Sequence, residues 1–245
     1  MTQHGDWGVK RTQDLAGWLS GPLDSQGLQA ARTVWSQPEA FRRSALYIYI
    51  NQMAIPKIMS IERTNSSRFD SMDTFLPSLK VTVHFLRMVV GLTSHPDLQG
   101  GVQNPKIIEK LRRVHLLHAN LPTIRGWMMN YIGSVIAVAP LRVMDALPDD
   151  KLTKSYWEYM RHAWSFMGAE IGTSITPVRT DEGVAVEELA EATPDLARDL
   201  MMLQVAYTTR YGPDQAKLLW DRVLNSLYPT IRTVVDHALV LERPG

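Results

Sequence analysis

The sequence NPKIIEKLRRVHLLHAN, residues 104–120, predicts an amphipathic helix with a histidine on its apolar side. Asn104 is a suitable N-cap, and Pro105 takes the first helical position, where a missing N–H costs no hydrogen bond. Pro122 predicts that the helix ends at Leu121. Since successive residues are rotated by about 100°, one face collects the side chains of Ile107, Leu111, Val114 and His118.

The histidine on that face is the residue that bears most directly on function. His118 is predicted to point toward the core, and His115 lies at the edge of the same apolar face. A buried imidazole requires a partner, which is a hydrogen-bonding neighbour, a metal ion or a cofactor iron. The helix alone leaves these three alternatives open.

The overall composition is that of a globular protein with an ordinary core. Hydrophobic residues make up 45% and charged residues 21% of the 245-residue chain. A formal net charge of +1 and scattered arginines argue against a nucleic-acid partner. The chain contains no cysteine, which excludes thiolate zinc sites, iron–sulfur clusters, disulfides and a cysteine nucleophile.

The sequence also predicts no membrane span. The longest apolar run, residues 128–141, is interrupted by Asn130, Gly133 and Ser134, and it is shorter than the roughly 20 residues that a span requires. The N-terminal segment contains no apolar stretch of signal-peptide length. We therefore expect a cytoplasmic protein.

Helical periodicity recurs along the chain, and no segment shows the strict alternation that is typical of a strand. We predict an all-α fold with one multi-helix domain over residues 1–245 and roughly eight helices of ordinary length. Residues 1–28 are predicted to form a polar arm carrying Trp7 and Trp18, and residues 169–193 to be rich in loops. Besides 104–120, the predicted helices cover 28–50 with a break near Pro38, 75–90, 127–144, 155–168 with Thr153 as N-cap, 194–211 and 217–227, with a polar loop at 63–73 and a short last turn at 239–241.

Several kinds of catalytic site are excluded by missing motifs. The chain has no glycine-rich nucleotide loop, no Gly-x-Ser-x-Gly elbow and no His-Glu-x-x-His zinc helix. A di-iron bundle needs repeated Glu-x-x-His pairs, whereas Glu158 and His162 are four residues apart and occur once. His115 and His118 have the spacing for a metal pair, but no third ligand stands out. A haem iron needs only one protein nitrogen from an apolar wall, which these residues fit better than a polar metal cage.

Three blocks of the sequence resemble a known family. The segments LKVTVHFLRMVVG (79–91), RRVHLLHAN (112–120) and SYWEYMRHAWSFMGAEIG (155–172) are similar to its patterns R-T-x-x-F-L-x-x-x-x-G, R-x-x-L-H-A and Y-W-x-x-W-R-x-x-x-x-x-G-I. The residues in step are Thr82, Phe85, Leu86 and Gly91, then Leu117, His118 and Ala119, then Tyr156, Trp157 and Arg161. In this order the blocks resemble the latex-clearing-protein and MpaB-type family of haem b proteins.

The resemblance implies an all-helical core related to the globin fold, with haem b as cofactor. It implies that His118 is the proximal iron ligand and that Thr82 faces the distal side. In rubber-cleaving members a glutamate serves as a proposed base, and Glu62 lies at about the corresponding distance upstream of the distal helix. A solvated surface acid is the alternative interpretation of Glu62, which precedes a polar loop.

The chain departs from the family pattern at three places. A basic residue that can precede the distal threonine is Val81 here, with Lys80 one place earlier. The arginine that opens the axial block is Val114, and the Arg-His pair after it is Pro122-Thr123. These departures argue against rubber cleavage but leave the haem ligand in place.

The leading hypothesis is therefore a haem b-dependent oxidoreductase of the oxygenase or peroxidase type, acting on a small apolar organic substrate with dioxygen or peroxide. The alternatives are a non-catalytic haem carrier or sensor, and a cofactor-free helical protein in which His118 is a hydrogen-bonded core residue. The candidate catalytic residues are Thr82, His84, Lys80 and Glu62, and the candidate cofactor-binding residues are His118 as iron ligand, His115, Arg87, Arg113 and Trp127.

Overall fold

A computed structural model describes residues 25–68, 70–144, 150–171 and 193–241. These residues form α-helices, short 3₁₀ turns and connections, with no strand among them. The ten α-helices are α1 Ser25–Trp35, α2 Ala40–Met53, α3 Pro56–Asn65, α4 Met72–Val89, α5 Pro105–Ala119, α6 Gly126–Val143, α7 Asp150–Ser165, α8 Pro194–Tyr211, α9 Pro213–Ser226 and α10 Pro229–Leu241. The predicted all-α class is confirmed, whereas a globin-like arrangement of the core stays a prediction.

The centre of the fold is the pair of helices α2 and α6. Both are apolar around most of their circumference: every residue of α2 from Ser44 to Met53 is buried, and most of α6 is buried too. The two helices pack along each other, and α3, α4, α8 and α9 surround α2. A helix without a polar stripe is stable only when neighbours cover all its sides. The predicted central position of the 127–144 helix is confirmed.

Two buried tyrosines of α7 hold neighbouring elements together. The Tyr156 hydroxyl donates to the Ala137 carbonyl of α6 at 2.5 Å and accepts from the indole N–H of Trp35 in α1 at 3.3 Å. The Tyr159 hydroxyl donates to the Val89 carbonyl at 2.7 Å and accepts from the Val102 amide at 3.0 Å. Burial raises the pKa of Tyr159 to about 12, so this hydroxyl keeps its proton at neutral pH.

Gly101 lies where this contact leaves no room for a side chain. Its φ of +55° belongs to the left-handed region, which glycine adopts without strain. An added Cβ would overlap the Tyr159 hydroxyl and lie 2.8 Å from both the Val89 carbonyl oxygen and Leu28. The 3₁₀ turn Gly101–Gln103 can therefore pack this closely only with glycine at its start.

Three predicted boundaries were wrong, each because a local signal was misjudged. Helix α7 begins at Asp150, so Thr153 lies inside the helix and is not its N-cap. Helix α9 begins at Pro213, which takes the first helical position four residues before the predicted start. The loop predicted at 63–73 is shorter, because α3 continues to Asn65 and the Ser71 hydroxyl caps α4 by accepting from the Thr74 amide at 3.3 Å.

The last helix was also predicted incorrectly. Residues 229–241 form the full helix α10, where only a short turn at 239–241 was expected. Its buried residues Ile231, Val235 and Ala238 are spaced four and three apart, which is the pattern of a helix with one apolar face.

Some expectations fall outside the described residues. These are the arm with Trp7 and Trp18, residues 1–24, and most of the loop-rich segment, residues 172–192. The arm predicted to extend to residue 28 overlaps α1, which begins at Ser25. Among the described helices, none combines the length and the apolar character needed to cross a membrane.

Candidate functional site

The face of α5 that points into the core contains His115 in place of the predicted Val114 and His118. The buried residues of α5 are Ile107, Leu111 and His115, which are spaced four residues apart. His115 is 2% exposed, and its Nδ1 lies 3.0 Å from the Met167 carbonyl oxygen. Since a carbonyl only accepts, His115 Nδ1 carries the hydrogen. His115 is thus the core histidine with a backbone partner, and the expectation that His118 points into the core was wrong.

His118 lies on the side of α5, half-buried. Its Nδ1 is shielded from solvent and has no hydrogen-bond partner within the described part of the chain. Burial lowers the pKa of His118, and the neighbouring His115 lowers this pKa further. The ring is therefore neutral at pH 7, with a lone pair on one of its two nitrogens. Such a nitrogen is able to bind a metal or a haem iron.

Two large apolar side chains directly before His118 in the sequence are exposed. Leu116 and Leu117 are 54% and 66% exposed on the last turns of α5. Because successive helical residues point about 100° apart, these two side chains point away from the buried row of Ile107, Leu111 and His115.

The last turn of α7 and the residues directly after it contact both α4 and α5, which make little direct contact with each other. On one side, the Phe85 ring of α4 lies 6.1 Å from the Trp164 ring, centroid to centroid. On the other side, Met167 accepts the hydrogen bond from His115. The indole N–H of Trp164 is a second buried polar group without a partner in the described ranges. Two such groups, Trp164 Nε1 and His118 Nδ1, therefore occur on the elements that flank this junction.

Thr82 faces α2. Its hydroxyl lies 3.1 Å from the Tyr49 hydroxyl and 3.1 Å from the Ser78 carbonyl oxygen, to which it donates. Because the Thr82 hydroxyl donates its hydrogen bond to the carbonyl, the Tyr49 hydroxyl is the donor in the bond between the two hydroxyls. Thr82 is thereby fixed in position against the centre of the fold.

The other three candidate residues of α4 lie together on a different surface. Lys80, His84 and Arg87 line a cavity between α2, α4 and α8 whose volume is about 320 Å³. Neither His118 nor His115 is among the residues that line it. The candidate residues of α4 therefore separate into Thr82, which faces α2, and a basic group at the cavity.

The three remaining candidates have separate surroundings. The Glu62 carboxylate lies 3.8 Å from the Arg68 guanidinium, and both side chains are about one-quarter exposed. Arg113 is an exposed residue that donates to Glu109 at 2.5 Å on the same helix. Trp127 is partly buried and packs against the core at the start of α6. Each has a structural partner of its own, and their predicted roles at a cofactor stay predictions.

Sequence reasoning missed the partners of the basic group. The cavity is completed by Phe41 and Arg42 of α2 and by Tyr207, Arg210 and Tyr211 of α8. These segments lie far apart in the chain, so no local motif joins them. The local pattern indicates only that Arg210 lies in the last turn of a helix, where the helix dipole favours a cation.

A multi-ligand metal site finds no support in the described ranges, which contain no group of three or more histidine, aspartate and glutamate side chains placed to hold a metal ion. The arrangement of His115 and His118 also argues against a metal site formed by this pair, because His115 Nδ1 is hydrogen-bonded to a carbonyl. No family model, curated protein or solved structure matches the chain.

Proposed function

We propose that the protein binds haem b through His118 and is an oxidoreductase of the oxygenase or peroxidase type, with a small apolar organic substrate. The observation that carries the proposal is the shielded Nδ1 of the neutral His118 imidazole, which has no hydrogen-bond partner among the residues that the structure describes. The sequence resemblance to haem b proteins assigns the ligand role to this same residue.

The residues present fit a haem ligand in two respects. A shielded polar atom without a hydrogen bond destabilises the folded state by about 1–3 kcal/mol, and an atom bound to that nitrogen would offset this loss. The lowered pKa of His118 keeps the ring unprotonated, which is the form that binds iron. His115 Nδ1, which donates to the Met167 carbonyl, is the poorer candidate.

The chain's own residues would serve this chemistry in separate ways. When bound, a haem iron supplies the activation of dioxygen or peroxide. Phe85 and Trp164 provide aromatic surface that excludes water next to the core. The Thr82–Tyr49 hydroxyl pair is able to hold a proton at Tyr49 Oη, whereas Lys80 and His84 line the separate basic cavity.

The haem proposal is tested by the absorption spectrum of protein expressed with haem supplied. We expect wild type and His237→Ala, whose side chain is exposed on α10, to show a Soret band and one haem per chain by pyridine haemochrome. We expect His118→Ala to lose the haem or to shift its Soret band. Added imidazole should restore the wild-type band in His118→Ala, because it replaces the missing ligand in the space that the side chain leaves.

Three results would contradict parts of this proposal. An identical Soret band in His118→Ala would contradict the ligand assignment. Haem binding without consumption of dioxygen or peroxide in the presence of apolar substrates would support a carrier or sensor. Purified wild type without haem, after expression with haem supplied, would support the cofactor-free alternative.

A further inference from the structure

The cavity between α2, α4 and α8 is distinct from the surroundings of His118. Its volume of about 320 Å³ is at the lower end of the roughly 300–1,000 Å³ range that is typical of small-molecule sites. Tyr207 and Leu79 are buried and provide part of its apolar wall. The cavity is thus large enough for a small organic molecule.

The charged side chains around the cavity are all positive. Arg42, Lys80, Arg87 and Arg210 contribute four formal positive charges, and no acidic residue is among the lining residues. The entire chain, by contrast, has a formal net charge of +1. Like charges that share a cavity repel one another, and a bound anion removes that repulsion. The charge distribution therefore favours an anionic ligand.

Aromatic rings hold two of the guanidinium groups in place. The Arg42 guanidinium lies 4.7 Å from the centre of the Tyr211 ring, and the Arg87 guanidinium lies 5.0 Å from the centre of the Phe41 ring. A guanidinium over a ring face is held by its planar surface, so its N–H groups stay available for an oxyanion.

A third guanidinium is fixed at the same ring. Arg210 Nε donates to the Tyr211 hydroxyl at 3.1 Å. Tyr211 thereby contacts two of the four cations, one through its ring and one through its hydroxyl. Three of the four cations are therefore placed before any ligand binds, which reduces the entropy lost on binding.

Glu39, the acidic residue that lies within 4.0 Å of Arg42, already has other hydrogen-bond partners. Glu39 accepts two hydrogen bonds from Arg43, at 3.0 and 2.8 Å, and a third from Gln215 at 3.1 Å. It approaches Arg42 only to 3.8 Å. Within the described ranges, Lys80 and Arg87 have no acidic partner. Their charge is therefore available to a ligand.

We propose that this cavity binds a small organic molecule that carries a multivalent oxyanion group, either phosphate or several carboxylates. Arginine N–H groups pair with two oxygens of one anionic group, and phosphates and carboxylates share that geometry. The residues that line the cavity include neither His118 nor His115, so the proposal does not depend on an iron ligand.

The test is calorimetric titration of the full chain with pyrophosphate and, separately, with citrate at low ionic strength. We expect binding at one site per chain that weakens as salt is added, because salt screens exposed charges. Arg87→Gln and Lys80→Gln should each weaken binding by about tenfold or more, since each removes a charge-assisted hydrogen bond.

Matched controls come from α5. Arg112 is an exposed arginine whose guanidinium lies 5.8 Å from the Phe166 ring centre, which resembles the arrangement of Arg87 on Phe41. Lys110 is an exposed lysine on the same helix. Arg112→Gln and Lys110→Gln remove the same charges elsewhere and should leave the affinity within about twofold, the change that screened distant charges produce.

Each outcome bears on the proposal. Binding of pyrophosphate alone would assign the ligand to phosphates, binding of citrate alone would assign it to polycarboxylates, and binding of both would support the shared oxyanion chemistry. Binding of neither probe would overturn the proposal. Equal weakening in the control variants and in Arg87→Gln and Lys80→Gln would also overturn it, because binding would then follow net charge and not this cavity.

Discussion

At the scale of single residues, the two histidines of α5 differ in burial and in hydrogen bonding although they lie one helical turn apart. His115 is 2% exposed and hydrogen-bonds to the Met167 carbonyl. His118, three residues later, is half-buried and keeps a shielded ring nitrogen without a partner in the described ranges. Helix periodicity identifies the apolar side but does not fix which of two adjacent rows faces the core, because Ile107 and Leu111 belong to both.

Two half-buried histidines, His118 and His162, predict that acid destabilises the folded protein. Burial lowers the pKa of His118 and of His162, so between the folded and the unfolded pKa the unfolded chain binds more protons. Stability should therefore fall as the pH drops below about 6.5, the ordinary pKa of histidine, and should be independent of these two groups above it. The measurement is the free energy of unfolding in urea at pH values on either side of 6.5.

Substitution separates these two histidines from the other titrating groups. The double variant His118→Gln, His162→Gln should lose less stability on acidification than wild type, because glutamine does not titrate. His237→Gln on the exposed side of α10 is the control and should follow wild type. An equal loss in wild type and in the double variant would show that the pH dependence has another origin.

At the scale of secondary structure, three glycines at the ends of elements differ in their backbone conformation and in the space that they leave for a side chain. Gly101 has a positive φ and no room for a Cβ, Gly212 has a positive φ with open space around it, and Gly126 has neither restriction. Gly101→Ala should destabilise the fold by about 2–5 kcal/mol through overlap and strain, and Gly212→Ala by about 1–3 kcal/mol through strain alone.

The same series contains its own control. Gly126→Ala at the start of α6 should stabilise the protein by about 0.4–1 kcal/mol, because alanine reduces the freedom of the unfolded chain. Urea unfolding of the three variants tests the order. If Gly101→Ala is no less stable than Gly212→Ala, the close contact with Tyr159 does not exist in solution.

The sequence predicted elements well where a helix has a clear apolar pattern. Helices α4 and α6 were found with their ends within three residues, because each contains a long apolar pattern and ends near a recognisable breaker. Helix α10 was missed because the polar residues Arg232, Thr233 and Asp236 alternate in the sequence with its apolar ones and hide the helical spacing of Ile231, Val235 and Ala238.

At the scale of the whole molecule, a buried ion pair connects the first part of the chain to its C-terminal helices. Asp199 of α8 is 1% exposed and is paired with the Arg63 guanidinium of α3, which is 31% exposed. Burial raises the pKa of Asp199, and the charges of Arg63 and Arg198 oppose that rise. A carboxylate in this position depends on its cationic partners.

Removing the partner should therefore destabilise the protein more than removing both members does. Arg63→Met should lower the free energy of unfolding by about 2–3 kcal/mol, a value reduced from that of a fully buried pair because Arg63 is partly exposed. The double variant Arg63→Met, Asp199→Leu should recover most of this loss, since no buried charge remains.

A surface pair provides the comparison. Lys217 and Asp221 on α9 are mostly exposed, and Lys217→Met should change the stability by less than about 0.5 kcal/mol. Urea unfolding of wild type, Arg63→Met, Asp199→Leu, Lys217→Met and the double variant measures the coupling. Additive effects of Arg63→Met and Asp199→Leu would contradict the dependence of one charge on the other.

The candidate sites could be predicted from the sequence only in part. The helix that carries His118 was predicted because it has clear start and stop signals, Asn104 and Pro122, but its core-facing histidine is His115 and not His118. The basic cavity was not, because α8 contributes Arg210 and Tyr211 from more than 120 residues after Lys80. Spatial proximity between distant segments follows from helix packing, and no local pattern records it.

The short connection between α8 and α9 restricts how this part of the molecule can move. Gly212 is the single residue between Tyr211 and Pro213, and the proline ring fixes its own φ. Any swing of α9 relative to α8 must therefore pass through the two torsions of Gly212 and the ψ of Pro213. Because Gly212 directly follows Tyr211, which lines the cavity, its two torsions determine the angle between α8 and α9.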